Sequence, residues 1–328
     1  MSHALATYKP ILAITMGDPA GIGPEIVIRS LHDQDIISLC EPILVGNSRI
    51  LERCANVIGL PKLPNRVRIV SVGTEGIDQI EPGRISRESG LAAEAYIREA
   101  CKMAVAGNID AIVTAPINKE SLRLAGVAHV GHTEMLASYL GASDPLTLFI
   151  TGNLRIFFLT RHMSLRQAVD YITAERVYAF IHKVHRAMAS LGIERPRIGL
   201  AALNPHASDG GQFGDEEEKH LMPAASRARR GGINCSDPVG ADSIFHMALE
   251  GRFDCVISLY HDQGHIAAKT RDFYRTVTAT LGMPVLRTSV DHGTALDIAW
   301  KGIANPISMK TAIQTAIDLL ALKHRTQK

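Results

Sequence analysis

Short apolar runs alternate with longer amphipathic stretches along almost the whole chain. Runs at 11–16, 42–45, 67–72 and 111–114 are rich in Ile, Leu and Val and predict buried strands. Between them, 24–31, 49–57 and 90–106 carry helical spacing, the last with small apolar residues. A second series predicts strands at 146–151, 154–160, 198–202, 255–259 and 285–288. Its helices fall at 134–140, 165–172, 174–191, 215–230 and 241–251, and an amphipathic helix closes the chain at 308–324. Such alternation predicts an α/β fold with mainly parallel sheets. At 328 residues the chain exceeds what one hydrophobic core usually holds, so two lobes are expected. The boundary is expected where two glycines interrupt a polar stretch, giving a first lobe of 1–125 and 302–328 and a second of 126–301.

Composition narrows the function classes. A net charge of +2, with Lys and Arg dispersed and only 5% aromatic residues, lacks the basic stripe and stacking groups of a nucleic-acid binder. No apolar run reaches the roughly 20 residues that cross a bilayer, and the first ten residues have no apolar core, so neither membrane span nor signal peptide is expected. Cys40, Cys54, Cys101, Cys235 and Cys255 form no C-x-x-C pair, which fits free thiols in a reducing cytoplasm.

The chemistry-bearing pattern is positional. Three predicted strands run directly into His162, into Asn204-Pro205-His206, and into His261-Asp262-Gln263-Gly264. Ligands of open α/β sheets bind beyond the carboxyl ends of strands, and three imidazoles there suit a catalytic metal with open coordination positions. The glycine-rich run 17–25 (GDPAGIGPE) follows the first strand and opens a helix, a place where backbone N–H groups can face an anion, or else a tight turn without a ligand. Gly131-His132-Thr133-Glu134 also opens a helix, with Thr133 placed to cap it and to donate to an anion. Lys269 and Arg287 are cations suited to a phosphate or a carboxylate.

The segment from His292 through Gly293, Thr294, Ala295 and Asp297 to Pro306 (HGTALDIAWKGIANP) resembles the nucleotide-binding segment of isocitrate and isopropylmalate dehydrogenases. With it, TMGDPAGIGPE at 15–25, TAPINK at 114–119, GHTE at 131–134, NPHA at 204–207, FGDEE at 213–217, YHDQG at 260–264 and RTSVDHGTA at 287–295 together resemble the 4-hydroxythreonine-4-phosphate dehydrogenase, or PdxA, family over nearly the whole chain. The resemblance implies a homodimer whose subunits have two α/β lobes, mainly parallel sheets and an active-site cleft, similar to the isocitrate and isopropylmalate dehydrogenases. It implies NAD held by His292, Gly293, Thr294, Ala295 and Asp297. One divalent ion per site (Zn, Mg, Mn or Co) is implied on His162, His206 and His261, the last from the neighbouring subunit. Substrate contacts fall on His132, Thr133, Lys269, Thr278 and Arg287, and active-site acids on Asp242 and Asp262.

Two departures bear on the substrate. The family's V-N-I-T-L-G-L-P run reads VTATLGMP here, so Thr278 stands where an Asn contacts substrate. The run 261–269 (HDQGHIAAK) has G-H-I where vitamin-pathway members read G-L-P, which resembles the branch acting on 4-phospho-D-threonate and 4-phospho-D-erythronate. The expected activity is therefore metal-dependent, NAD-linked oxidation of such a small phosphorylated acid, with decarboxylation. The alternatives are 4-hydroxy-L-threonine phosphate oxidation in vitamin B6 biosynthesis, a dihydrodiol-dicarboxylate dehydrogenase, and a catalytically dead metal-binding module.

Overall fold

The computed structural model describes residues 9–326, which divide into two compact units, 9–145 with 277–320, and 146–276 with 321–326. In the first unit, β1 (Ile11–Thr15) leads into α1 (Gly23–Leu31) and the short α2 (Gln34–Ser38). There follow β2 (Glu41–Gly46), α3 (Ser48–Ile58), β3 (Arg68–Ser71), α4 (Arg87–Val105), β4 (Ala111–Thr114), α5 (Lys119–Leu124) and α6 (His132–Leu140). The second unit contributes β5 (Leu146–Thr151), β6 (Leu154–Phe158), α7 (Leu165–Tyr171), α8 (Ala174–Ser190), β7 (Ile198–Ala201), α9 (Met222–Arg230) and β8 (Cys235–Val239). It ends with α10 (Ala241–Leu249), β9 (Cys255–Ser258) and α11 (His261–Arg271). The chain then returns to the first unit with β10 (Val277–Leu281), β11 (Leu286–Val290) and α12 (Ile307–Thr326), whose 307–320 stretch lies in that unit.

Strands of the first unit lie in the order β3-β2-β1-β4-β11-β10, those of the second in the order β5-β6-β9-β7-β8. Neighbours are parallel except at β10–β11 and β5–β6, so the mainly parallel α/β fold is as expected. The apolar runs form strands because both sheet faces are covered: every residue of β4, β7 and β9 is buried. Phe149, Ile156, Phe158, Ile244, Phe245 and Val256 fill the core of the second unit.

Two features differ from expectation. The division falls at 145/146 and 276/277 rather than at 125/126 and 301/302, because the β10–β11 hairpin hydrogen-bonds to β4 and so completes the first sheet. The stretch 261–271, to which the sequence pattern assigns no element, is a helix, α11, which can lie on β6 because Gly264 has no Cβ: one would sit 2.6 Å from the Phe158 ring. All five cysteines are buried and unpaired. Among the described residues no helix is long and apolar enough to cross a membrane.

Candidate functional site

The first unit builds a polar row from strand register alone. Thr15 pairs with Thr114, Thr114 with Ser289, and Ser289 with Thr278, so four hydroxyl side chains face one side of the sheet at the same level across β1, β4, β11 and β10. Two residues before Ser289, on the same face, lies Arg287, only 5% exposed. Its Nε and Nη2 donate to Thr114 Oγ1 at 3.1 and 2.8 Å, and Nη1 donates to Thr280 Oγ1 at 3.2 Å. These partners are neutral. Glu134 exerts a favourable field, but the guanidinium makes no salt bridge among the described residues, and burial holds its pKa down to about 10. It remains charged at neutral pH, a buried cation without a paired carboxylate.

His132 begins α6 close to that cation. Burial first, and the Arg287 charge second, hold its imidazole well below the ordinary histidine range, so it is neutral at pH 7. Its Nε2 is buried and has no hydrogen-bond partner, a costly state that a ligand would relieve. Thr133 follows in the first turn. The cap expected of Thr133 is instead the backbone of Gly131, which precedes the helix without a side-chain cap. Thr133 is thus free of a capping role. Thr278 is buried in β10, one row position from Ser289.

The glycine-rich run 17–25 is not an open anion cradle. Its residues are buried, and its glycines face protein: a Cβ on Gly21 would lie 2.8 Å from Thr294, and one on Gly23 2.2 Å from Met16 O. Asp18 is fully buried there. Its Oδ1 accepts from Ala20 N at 2.8 Å, and burial raises its pKa to about 6 against the opposing pull of that N–H and of the Ser121 and Ser89 hydroxyls. The expected nucleotide segment lies against this run: Thr294 O accepts from Ile22 N at 2.9 Å. His292 and Ala295 are partly exposed, and Gly293 and Asp297 are exposed. Nothing lies within 4 Å of a Cβ placed on Gly293.

In the second unit, His162, His261 and His206 follow β6, β9 and β7, three adjacent strands. Their carboxyl ends are stitched together. Thr160 Oγ1 donates to Leu259 O at 2.8 Å; Gln263 accepts from Leu259 N at 2.7 Å and donates to Ala202 O at 2.7 Å. The His162 and His261 rings lie 5.9 Å apart, and both line a cavity of about 310 Å³ with Tyr260 and Asp262. His261 Nδ1 is 2.7 Å from Asp262 Oδ1, which fixes the tautomer that leaves Nε2 free to bind a cation. This donor set fits a divalent metal, although no group of three His, Cys, Asp or Glu side chains is assembled for one among the described residues of the single chain.

His206 sits on a turn in which His206, Ala207, Ser208 and Asp209 all have positive φ, between 47° and 67°. Left-handed backbone costs a non-glycine residue about 1–2 kcal/mol. Glu217, 1% exposed, offsets that strain by accepting from Leu203 N, Asn204 N and Asn204 Nδ2 at 2.8–2.9 Å. Asp242 is exposed in the first turn of α10. On α11, His261, His265 and Lys269 recur at helical spacing. The His261 and His265 rings stack at 3.9 Å, and Lys269 Nζ lies 5.5 Å from the Phe273 ring centre. Glu217, Gln263 and His265 have structural roles that no sequence spacing marked. The runs FGDEE and HDQGHIAAK contain all three without marking those roles.

The PdxA family, described as pyridoxal phosphate biosynthetic protein, matches residues 38–316. A Clostridium botulinum protein provisionally named D-threonate 4-phosphate dehydrogenase is 45% identical over 94% of this chain and 96% of its own. A Klebsiella pneumoniae 4-hydroxythreonine-4-phosphate dehydrogenase structure superposes with a TM-score of 0.87 at 37% identity, covering 96% of this chain and 99% of that one. A terephthalate 1,2-cis-dihydrodiol dehydrogenase from Burkholderia xenovorans gives 0.66 at 29% identity, with coverage of 94% and 98%.

The raised Asp18 pKa makes stability depend on pH in a definite sense. Below the unfolded value of 3.8 both states are protonated; as pH rises towards about 6 the unfolded chain ionises first, so stability is lost across that window. At 1.36 kcal/mol per unit the loss is on the order of 3 kcal/mol. Urea unfolding of Asp18→Asn and wild type at pH 4 and pH 7 checks this: the variant gains relative stability at pH 7, whereas parallel pH curves would refute the assignment.

Proposed function

The chain belongs to the PdxA family of dehydrogenases, and from that premise we propose that it oxidises a small 4-phosphorylated hydroxy acid, 4-phospho-D-threonate or 4-phospho-D-erythronate, with NAD, a divalent metal and loss of carbon dioxide. The observation that carries the substrate class is the buried, unpaired Arg287 beside the unpartnered His132 Nε2. A fixed cation in a desolvated seat recognises a carboxylate or phosphate, because its field is little screened there. Neutral His132 can share a hydrogen bond without adding a second charge, and Thr133 and Thr278 contribute hydroxyls. Lys269 supplies a further cation.

His162, His206 and His261 would hold the metal, and His292, Gly293, Thr294, Ala295 and Asp297 the NAD. When bound, the metal provides a Lewis acid for the substrate hydroxyl and NAD a hydride acceptor. Asp262 orients His261, and Asp242 or Asp262 receives the hydroxyl proton. In this reading the enzyme is a cytoplasmic homodimer in which His261 completes the partner's metal site; buried free cysteines support the reducing compartment.

The second substrate, 4-hydroxy-L-threonine phosphate, is favoured by the name of the Klebsiella structure. Thr278 and the higher identity to the D-threonate 4-phosphate relative favour the sugar-derived acids. NADH formation with each acid decides between them. Wild type gives the higher kcat/KM with the sugar-derived acids, chelator abolishes turnover, and Thr278→Asn shifts preference towards the amino acid phosphate by about tenfold. A tenfold wild-type preference for the amino acid phosphate would reverse the assignment.

Mixing His162→Ala with His261→Ala tests the shared site. Each variant alone is inactive; after random exchange the mixture regains about a quarter of wild-type activity, because about half of the dimers are mixed and one of the two sites in each carries neither lesion. Demonstrated subunit exchange without recovered activity refutes sharing.

A further inference from the structure

The nucleotide segment is held by a buried acid with no place in the chemistry above. Glu25 lies in the first turn of α1, entirely buried. One carboxylate oxygen accepts from Ala304 N at 3.0 Å and from Arg29 Nε at 3.0 Å; the other accepts from Gly302 N at 3.2 Å. Arg29 Nη2 in turn donates to Gly302 O at 2.6 Å. The carboxylate thus does for this loop what an N-cap does for a helix, gathering backbone N–H groups that would otherwise be buried unpaired.

The same strand-to-helix turn grips the segment elsewhere. Trp300 Nε1 donates to Pro19 O at 3.2 Å, and Thr294 packs on Gly21, where a side chain would collide with it. Between these anchors the chain is mostly irregular, with one short helical turn over Leu296–Ile298. Ala295 and Trp300 have φ of 41° and 57°, a backbone that non-glycine residues keep only when their surroundings hold it.

We infer that Glu25 and Arg29 are positioning residues for the cofactor: they touch no ligand, but they fix the path of 300–304 and with it the shape that 292–297 presents to the nucleotide. The glycine-rich turn is the bed on which that segment rests. The inference builds on the proposed NAD site. A carboxylate is required because all three of its partners are donors. An amide at position 25 turns an N–H₂ towards one of them, and charge-assisted bonds are about twice as strong as neutral ones.

Calorimetric NAD binding and steady-state kinetics of the full-length protein test this with Glu25→Gln and Arg29→Met, the second keeping the packed stem if the first fails to fold. NAD dissociation constants rise about tenfold and about threefold respectively, in line with lost charge-assisted bonds. The KM for the best phosphorylated acid stays within about twofold, a split that general loosening of the fold would not produce. Wild-type NAD affinity in the folded variants, or an equal rise in the acid's KM, overturns the assignment. Failure of the unaltered protein to bind NAD would instead remove the cofactor reading beneath it.

Discussion

A guanidinium taken out of water without a paired carboxylate is the constraint around which the first unit is organised. The effective penalty for burying an ion is several kcal/mol, and hydrogen bonds to neutral hydroxyls return only part of it. Arg287 nonetheless sits on β11, flanked by β4 and β10, with Thr114 and Thr280 as its acceptors. Those threonines are spaced by the period of the sheet, which also places Thr15, Ser289 and Thr278 on the same face. The neutral state of His132 follows from burial together with the same charge. A fold that carries this cost without a compensating acid leaves the charge complement to come from outside the chain, and the proposed seat for a phosphorylated acid rests on that.

The second unit solves a different problem, the placement of loops. Its three histidines stand at the ends of adjacent strands, and a few buried polar groups tie those ends together: Thr160 and Gln263 across the strand ends, and Glu217 beneath the strained His206 turn. Gln263 and Glu217 are buried, so each unmade bond would cost more than the made bond contributes. The same logic recurs at Glu25 in the first unit. Buried acids and amides here organise backbone, while His162 and His206 are exposed and His261 is half-buried.

Much of this was legible in the sequence. The apolar runs marked nine of the eleven strands to within a few residues, and the histidines were found by their place after three of them. β8 and β10 escaped because CSDPV contains Pro and Asp and is half-exposed, while VTATL hides its burial behind Thr278 and Thr280, the second an acceptor for Arg287. α11 escaped because HDQGHIAAKTR has no apolar stripe at helical spacing. The turn at 17–25 has an anion-site composition, and the packing of Pro116 on Gly17, Thr294 on Gly21 and Met16 O on Gly23 shows that its glycines serve close approach of protein to protein. Contacts such as Glu25 to Ala304, 279 residues apart, leave no trace in local pattern.

Thermal unfolding of Arg287→Met with and without the phosphorylated acid tests most directly whether Arg287 is kept buried and unpaired to seat the substrate's anion. Without ligand the variant unfolds at or above the wild-type midpoint, since an uncompensated buried charge has been replaced by an apolar side chain of similar length. With the acid at about a hundred times its wild-type dissociation constant, wild type gains about 2.7 kcal/mol and the variant gains nothing. A midpoint lowered by several degrees, together with an undiminished response to the acid, would show that Arg287 holds the fold and that the anion binds elsewhere.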